Sequence, residues 1–426
     1  MTKRPVRIAL GVLLAATAAT PALAQYENAS RAAPPPRAQT NDEAQQQEPK
    51  ADQNGVKPSK QALKALVELQ KAVNAKDKAN IPAKLAAAQA AAKTNEDRYL
   101  IGRLQLRAAI DSNDNAGTTA AIAAIEASGV ADRTQVAQLY KGMGGTYYNA
   151  KQYDQAIAAF TKAASLNPND FESMDLIAES NLAAGRKAEA SAGYQRVIQA
   201  RKAAGQKAPE EVYQKAVQLA YDAKAPNAVQ MASDWVAAYP SANSWHNTIA
   251  IYRNFNRPDA EGTLDLLRLL QAAGALTTPG DYALFVEAAA DQMNFNEAQA
   301  VLNAGIAAKV VDPSNSNFRD MITVLKKKPI ATDADLETAI KSSPNALNLL
   351  RIGDRYYGMG NYSKAAEIYR QVATKPGADK ELANLHLGMA LARAGDKAGA
   401  TAAFNAVTGG RSEIAKLWLL YLQQHG

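Results

Sequence analysis

Cysteine is missing from all 426 residues. That absence excludes disulfides, thiolate metal sites, cysteine nucleophiles and lipidation of an N-terminal cysteine. Histidine is nearly missing as well. His246, His386 and His425 lie far apart, and none has the HExxH or HxH spacing that sets two ligands on one helical face. No run of alternating β-branched residues marks a strand. No apolar run reaches the roughly 20 residues that a bilayer-spanning helix needs. A strong charge of one sign is lacking too. Three of the 48 basic groups, Lys3, Arg4 and Arg7, sit at the extreme N-terminus, leaving 45 basic against 41 acidic groups beyond it. That balance gives no composition-based case for nucleic acid.

What is present begins with those three basic residues. They precede the apolar run Ile8 to Ala19, followed by Pro21 and then Ala22-Leu23-Ala24. A positive region, a short apolar core and small residues before a cleavage point form a secretory signal peptide, with cleavage expected after Ala24. Residues 25–58, with Pro34-Pro35-Pro36 and Gln45-Gln46-Gln47, hold too little apolar surface to offset their ordering entropy and read as a disordered linker. From Ser59 onward Ala-rich helical patterns run to the C-terminus, broken by short loops carrying Gly, Pro or Asn.

One segment organises the rest. Tyr140 to Pro168 places Gly144, Tyr147, Ala156, Phe160, Ala163 and Pro168 where two antiparallel helices need small residues at their crossing and bulky ones beside it. About 34 residues later Ala178, Gly185, Ala190 and Tyr194 take the equivalent places. Gly353, Tyr356, Gly360, Tyr362, Ala365 and Tyr369 repeat the spacing, and Gly388, Gly395, Ala400 and Phe404 follow. The segment resembles a tetratricopeptide repeat, a helix–turn–helix unit with this period. The resemblance implies an all-α fold, an α-solenoid of stacked antiparallel helix pairs. Between the strong copies, Tyr282, Phe285, Phe295, Ala298 and Leu302 make a fair one, and Glu210 to Tyr239 fits a generic helical hairpin. The expected division is a signal peptide over 1–24, a linker over 25–58, degenerate helical repeats over 59–136, a repeat pair over 137–204, divergent hairpins over 205–343, a second repeat pair over 344–410 and a capping helix over 411–426.

Catalytic motifs are not supported by their surroundings. Gly142-Met143-Gly144-Gly145 lies inside a helical pattern, with no preceding strand and no following Lys-Ser or Lys-Thr, so close helix packing explains it better than phosphate binding. His386, between Leu385 and Leu387, reads as a packed or half-exposed helical residue. No carboxylate stands out by an apolar surround as one member of an acid/base pair. The expectation is a protein that is not an enzyme and needs no cofactor or metal.

The resemblance also implies where partners bind, since in that family the first helix of each pair lines a concave groove. Gln138, Lys141, Gly145, Tyr148 and Asn149 would lie there in one repeat and Glu172, Asp175 and Glu179 in the next. The family's lysine–asparagine clamp for a C-terminal carboxylate is incomplete: Lys141 stands at the lysine position, but Gly145 and Leu176 replace the two asparagines. Glu172, Asp175 and Glu179 instead form an acidic stripe on one helical face, read either as a site for a basic or polar segment or as a solvated surface. In the last helix Ile414, Leu417, Trp418 and Tyr421 form a buried stripe, and Leu419, Leu420 and Leu422 add apolar surface beyond it. Trp418, Leu419, Leu420 and Leu422 are therefore either an interface for self-association or a partner, or part of a helix folded deeper into the preceding pair.

The expected function is a non-catalytic interaction scaffold in the bacterial cell envelope, binding envelope proteins or peptides, with no nucleic acid and no integral membrane span. Its expected place is the periplasm, with secretion as the other outcome of a cleaved signal. An accessory subunit of an envelope enzyme or export complex, serving peptidoglycan or polysaccharide synthesis or secretion, is the alternative.

Overall fold

The computed structural model describes residues 55–342 and 345–425. The expected signal peptide, and the expected linker up to residue 54, lie outside the described residues. Twenty-one helices and no strands make up the described residues, and the chain divides into two compact units, residues 1–203 and 204–426.

The first unit holds α1 (Lys60–Asn74), α2 (Ile81–Ala91), α3 (Asn95–Asp111), α4 (Asn115–Ser128), α5 (Arg133–Asn149), α6 (Tyr153–Leu166), α7 (Phe171–Ala183) and α8 (Lys187–Ala203). Helix α1 buries Ala62, Leu66, Leu69, Ala72 and Val73, a spacing that lays one apolar stripe along a 3.6-residue period. One buried carboxylate fixes its start. Asp97 accepts hydrogen bonds from the backbone and hydroxyl of Ser59, the N-cap of α1, at 2.7 and 2.8 Å, and from the Lys93 and Thr94 backbones at the start of α3. Burial alone would raise this carboxyl, but those hydrogen bonds outweigh it and hold the pKa below the usual value. The stability it contributes is therefore present above the ordinary carboxylate pKa and lost as the pH falls through the folded one. Asp97→Ala leaves two helix starts without their acceptor and is expected to cost the first unit about 2 kcal/mol. Urea denaturation followed by circular dichroism measures this, and an unchanged first-unit midpoint would show that water replaces the carboxylate.

The repeat spacing has a simple steric origin. A Cβ added to Gly144 on α5 would fall 2.5 Å from the Phe160 ring on α6. The ring lies flat against bare backbone there, so the helices cross closer than any side chain allows. Ala178 and Gly193 form the small-residue contact of the α7–α8 pair, where a Cβ on Gly193 would come within 2.8 Å of the Ala178 methyl. Each pair turns through a residue at positive φ, Lys151 at 59° and Gly185 at 78°.

The second unit holds α9 (Glu210–Asp222), α10 (Ala228–Ala238), α11 (Ala242–Asn256), α12 (Ala260–Ala272), α13 (Pro279–Asp291), α14 (Phe295–Ala307), α15 (Ser316–Leu325), α16 (Asp333–Ser342), α17 (Ala346–Gly358), α18 (Tyr362–Thr374), α19 (Lys380–Ala394), α20 (Lys397–Asn405) and α21 (Ser412–Gln424). The ring-over-glycine contact returns twice at the same sixteen-residue interval. Tyr369 covers Gly353 and Phe404 covers Gly388, each with ring atoms 2.5 Å from a hypothetical Cβ.

The helices between these repeats do not all behave as surface hairpins. Helix α12 buries Gly262, Leu264, Asp265, Leu266, Leu267, Arg268, Leu269 and Leu270, so it is covered on all sides. A helix apolar around most of its circumference belongs in a core. The C-terminal helix closes over it. Gln424 accepts from the Trp245 indole at 3.1 Å and donates to the Val236 carbonyl at 2.8 Å, linking residues 179 and 188 positions apart. Arg411 reaches Asp259 at 3.3 Å, and Ile414 packs beside Gly262. Of the expected interface residues, Trp418 is fully buried, stacked on Phe404 at 5.9 Å, and Leu422 is buried with it. Leu419 and Leu420 are half-buried against the same core. The helix folds against α10 and α12, which offer it apolar surface that a stack of neighbouring pairs alone does not.

Candidate functional site

In the first unit the expected groove residues lie on α5 and α7. Gln138 and Asn149 are exposed and Tyr148 is half-buried, packed edge-on against Tyr153 with ring centroids 5.6 Å apart. Lys141 is different. It is 5% exposed, and its ammonium sits 3.2 Å from Asp170 and 2.8 Å from Glu172. Asp170 is the N-cap of α7, accepting from the Ser173 backbone, and Glu172 stands in that helix's first turn, where the helix dipole favours negative charge. Freeing Lys141 for a ligand carboxylate would break both ion pairs and leave Asp170 buried without its cation. The missing asparagines and this internal neutralisation together close the clamp.

The acidic stripe is partnered along its whole length. Glu172 is held by Lys141, Asp175 lies 3.1 Å from Arg201 on α8, and Glu179 accepts the Tyr194 phenol at 2.8 Å. Arg201 also lies over the Phe171 ring at 4.9 Å. Burial, then the charge of Glu179, raises the Tyr148 phenol. Glu179 thus acts on Tyr148 electrostatically, Asn149 and Gln138 stay at the surface, and Lys141 is almost wholly buried.

The second unit holds a site that spacing and composition did not reveal. Arg268 on α12, fully buried, donates through Nε and Nη2 to both oxygens of Glu297 on α14 at 2.9 and 2.8 Å, and through Nη1 to Asp265 at 3.3 Å. Its plane lies 4.7 Å from the Tyr357 ring centroid. His386 on α19, with no exposed surface, has Nε2 3.0 Å from Asp265 and Nδ1 2.9 Å from Asp354 on α17. The Tyr369 hydroxyl donates to Asp354 at 2.7 Å, and Asn294 donates to Glu297 at 2.7 Å and to the Asp354 carbonyl at 3.0 Å. Four helix pairs contribute, so no local motif carries the signal.

The charges explain the ionisation states. Burial lowers the His386 pKa, but the two flanking carboxylates overcome it and raise it from 6.5 to about 10. Burial raises Asp354, but His386, Arg268 and the Tyr369 hydroxyl hold it below the usual range. Tyr369 is raised by burial and by Asp354, and Glu261, near the same carboxylates, by its own burial. His386 is accordingly an imidazolium at neutral pH with a carboxylate against each nitrogen. The cluster acts as an electrostatic clasp between α12, α14, α17 and α19. Sequence reasoning did not single out these carboxylates, of which Asp265 and Glu297 are buried among charged and polar partners.

A cleft opens above this clasp along α17. Its rim carries Arg351, Arg355, Leu347, Met293 and Glu261, and Asn294, Arg268 and Asp354 form part of its lining. Among the described residues, no helix is long and apolar enough to cross a membrane.

The tetratricopeptide-repeat family model matches residues 137–170, and a second model described as a tetratricopeptide repeat matches residues 348–377. No curated protein matches the chain. Among solved structures, a tetratricopeptide repeat protein from Parabacteroides merdae is similar at 13% identity over 76% of this chain and 99% of its own, with a TM-score of 0.25. The TPR domain of P58(IPK) is similar at 12% identity over 85% and 97%, with a TM-score of 0.23. The matched segments are those in which Phe160 and Tyr369 cover Gly144 and Gly353, so the chain carries tetratricopeptide repeats at these two places, a repeat type that indicates a protein-interaction scaffold.

Proposed function

We propose that the protein is a non-catalytic adaptor of the bacterial cell envelope, exported by its N-terminal signal to the periplasm, where it binds another envelope protein through the α5–α7 face of its first unit. The observation that carries this reading is the juxtaposition of a half-buried tyrosine, Tyr148, with Glu179 and the exposed Asn149, flanked by Lys141 and Arg201, whose charges are already matched. An aromatic ring with a polar tip and a carboxylate beside it suits a polar or basic segment with at least one apolar contact.

A photo-crosslinking amino acid in place of Asn149, in the full chain expressed in its own host, tests the proposal. A discrete adduct is expected that Glu179→Lys or Tyr148→Ala reduces about tenfold, the effect of losing a central contact worth about 1.4 kcal/mol. Absence of any specific adduct in the folded protein would refute the binding face. Recovery of the unprocessed chain in the cytosolic fraction would refute the location. An adduct with a polymerase or hydrolase subunit would make the adaptor an accessory of that enzyme.

A further inference from the structure

The first hairpin is strongly one-sided in charge. Residues 55–93 contain eight lysines against two acids, Glu68 and Asp77. Three of the lysines form a stripe. Lys60, Lys64 and Lys71 lie within about 40° of one another round α1 at about 100° per residue, on the side away from its buried residues, and all three are exposed. Local energetics do not account for this placement. The first turn of α1 holds no acid, so Lys60 sits at the positive end of the helix dipole, and Lys60 and Lys64, four residues apart, repel each other.

The acids nearby are already engaged. Glu68 is shared between Lys71 at 3.3 Å and Lys84 at 3.4 Å. Asp77 accepts from the Asn80 side chain at 2.7 Å, and Asp97, at the start of α3, is buried and holds Ser59, Lys93 and Thr94 through hydrogen bonds. Lys60 and Lys64 make no ion pair among the described residues. The stripe therefore lacks counter-charge. The chain just before it has the opposite sign: residues 41–52 carry Asp42, Glu43, Glu48 and Asp52 against the single base Lys50.

The point at which the chain enters α1 favours a return. Gly55 stands at a φ of 76°, the left-handed conformation used where a chain turns. Length permits it as well. Lys60 to Lys71 spans about 16 Å of helix, whereas twelve residues reach up to about 40 Å when fully extended. A ligand joined to its site by so short a connection acts at an effective concentration in the millimolar range, so even a weak electrostatic contact is populated. We propose that the lysine stripe of α1 is the docking surface for this chain's own residues 41–52. Asp52 lies toward Lys60, Glu48 toward Lys64, and Asp42 with Glu43 toward Lys71. The contact masks the stripe, so an outside polyanion has to displace a tethered one. This surface is separate from the α5–α7 face and does not depend on it.

The absence of cysteine makes site-specific labelling direct. Spin labels at Gln46→Cys and at Gln70→Cys, an exposed position on α1, report the distance between segment and stripe in the full chain. At about 0.01 M salt a short-distance population is expected to dominate, and at about 1 M, where the screening length is about 3 Å, to fall at least about tenfold. Lys60→Glu with Lys64→Glu and Lys71→Glu is expected to remove it at low salt. Adding Asp42→Lys, Glu43→Lys and Glu48→Lys, which exchanges the two charges, is expected to bring it back. No short-distance population in the unaltered chain, one indifferent to salt, or one that the exchange does not restore would overturn the proposal. Phosphatidylglycerol vesicles test the masking. They are expected to bind the unaltered chain at least about tenfold more weakly than the variant Asp42→Asn, Glu43→Gln, Glu48→Gln, Asp52→Asn. Equally tight binding of both would refute the masking and make lipid the occupant. All three tryptophans, Trp235, Trp245 and Trp418, lie in the second unit, so circular dichroism and not tryptophan fluorescence confirms that each variant keeps α1.

Discussion

Raising the pH from 7 to 10 is expected to weaken the second unit by about 3 kcal/mol, a larger change than surface titrations produce. The cause is His386. Its pKa stands near 10 in the folded protein against 6.5 for an unperturbed imidazole. A raised pKa contributes stability that is fully present below about 6.5 and disappears as the pH climbs through 10. Each pH unit between those limits removes about 1.4 kcal/mol at most. The groups around it do not mask the effect. Asp354 is held below its usual range and Arg268 well above its own, so both keep their charge throughout, and Tyr369 is raised out of the window. Urea midpoints of the tryptophan transition at pH 7, 8.5 and 10 measure the slope. His386→Gln, which keeps two polar ends without a titrating proton, is expected to flatten it. A slope unchanged by that substitution would mean that another group carries the alkaline transition.

Arg268→Ala is expected to destabilise the second unit by about 3–5 kcal/mol. Removing one partner of a buried charge network leaves the others uncompensated, and here Glu297 loses a bidentate cation in a site without solvent. Arg268→Lys is expected to recover only part of the loss, since an ammonium cannot bond both carboxylate oxygens in plane. The paired substitution Arg268→Met with Glu297→Met removes the desolvated charges together and is expected to cost less than either change alone. Urea denaturation of the four proteins closes the cycle. Additive losses would show that the two side chains do not act as a unit.

The contrast between what the sequence disclosed and what it concealed follows chain distance. Gly144 and Phe160 sit within one hairpin, so their contact recurs as a fixed interval and was readable together with its copies at Gly353 and Gly388. Lys141 and its acidic partners are 29 and 31 residues apart, about one repeat, so the lysine's place on the helix was evident but its neutralisation was not. The clasp around His386 joins residues from α12, α14, α17 and α19, whose meeting depends on how hairpins pack and on no period within any of them. Its one legible trace was the density of leucine between Leu264 and Leu270, too apolar for a helix with a wet face. Trp418 followed the same rule. Its burial depends on Phe404 and on the distant contacts of Gln424, which its own helix does not disclose.

The return of Gln424 to Trp245 and Val236 changes how the second unit comes apart. In an array where each pair touches only its neighbours, end pairs fray first and stability accumulates pair by pair. Here the last helix is bonded to segments near the beginning of the unit, so neither extremity is free to melt alone. Amide exchange in α21 is accordingly expected to match that of α10 and α12, so that the last helix of the chain unfolds with the core and not before it.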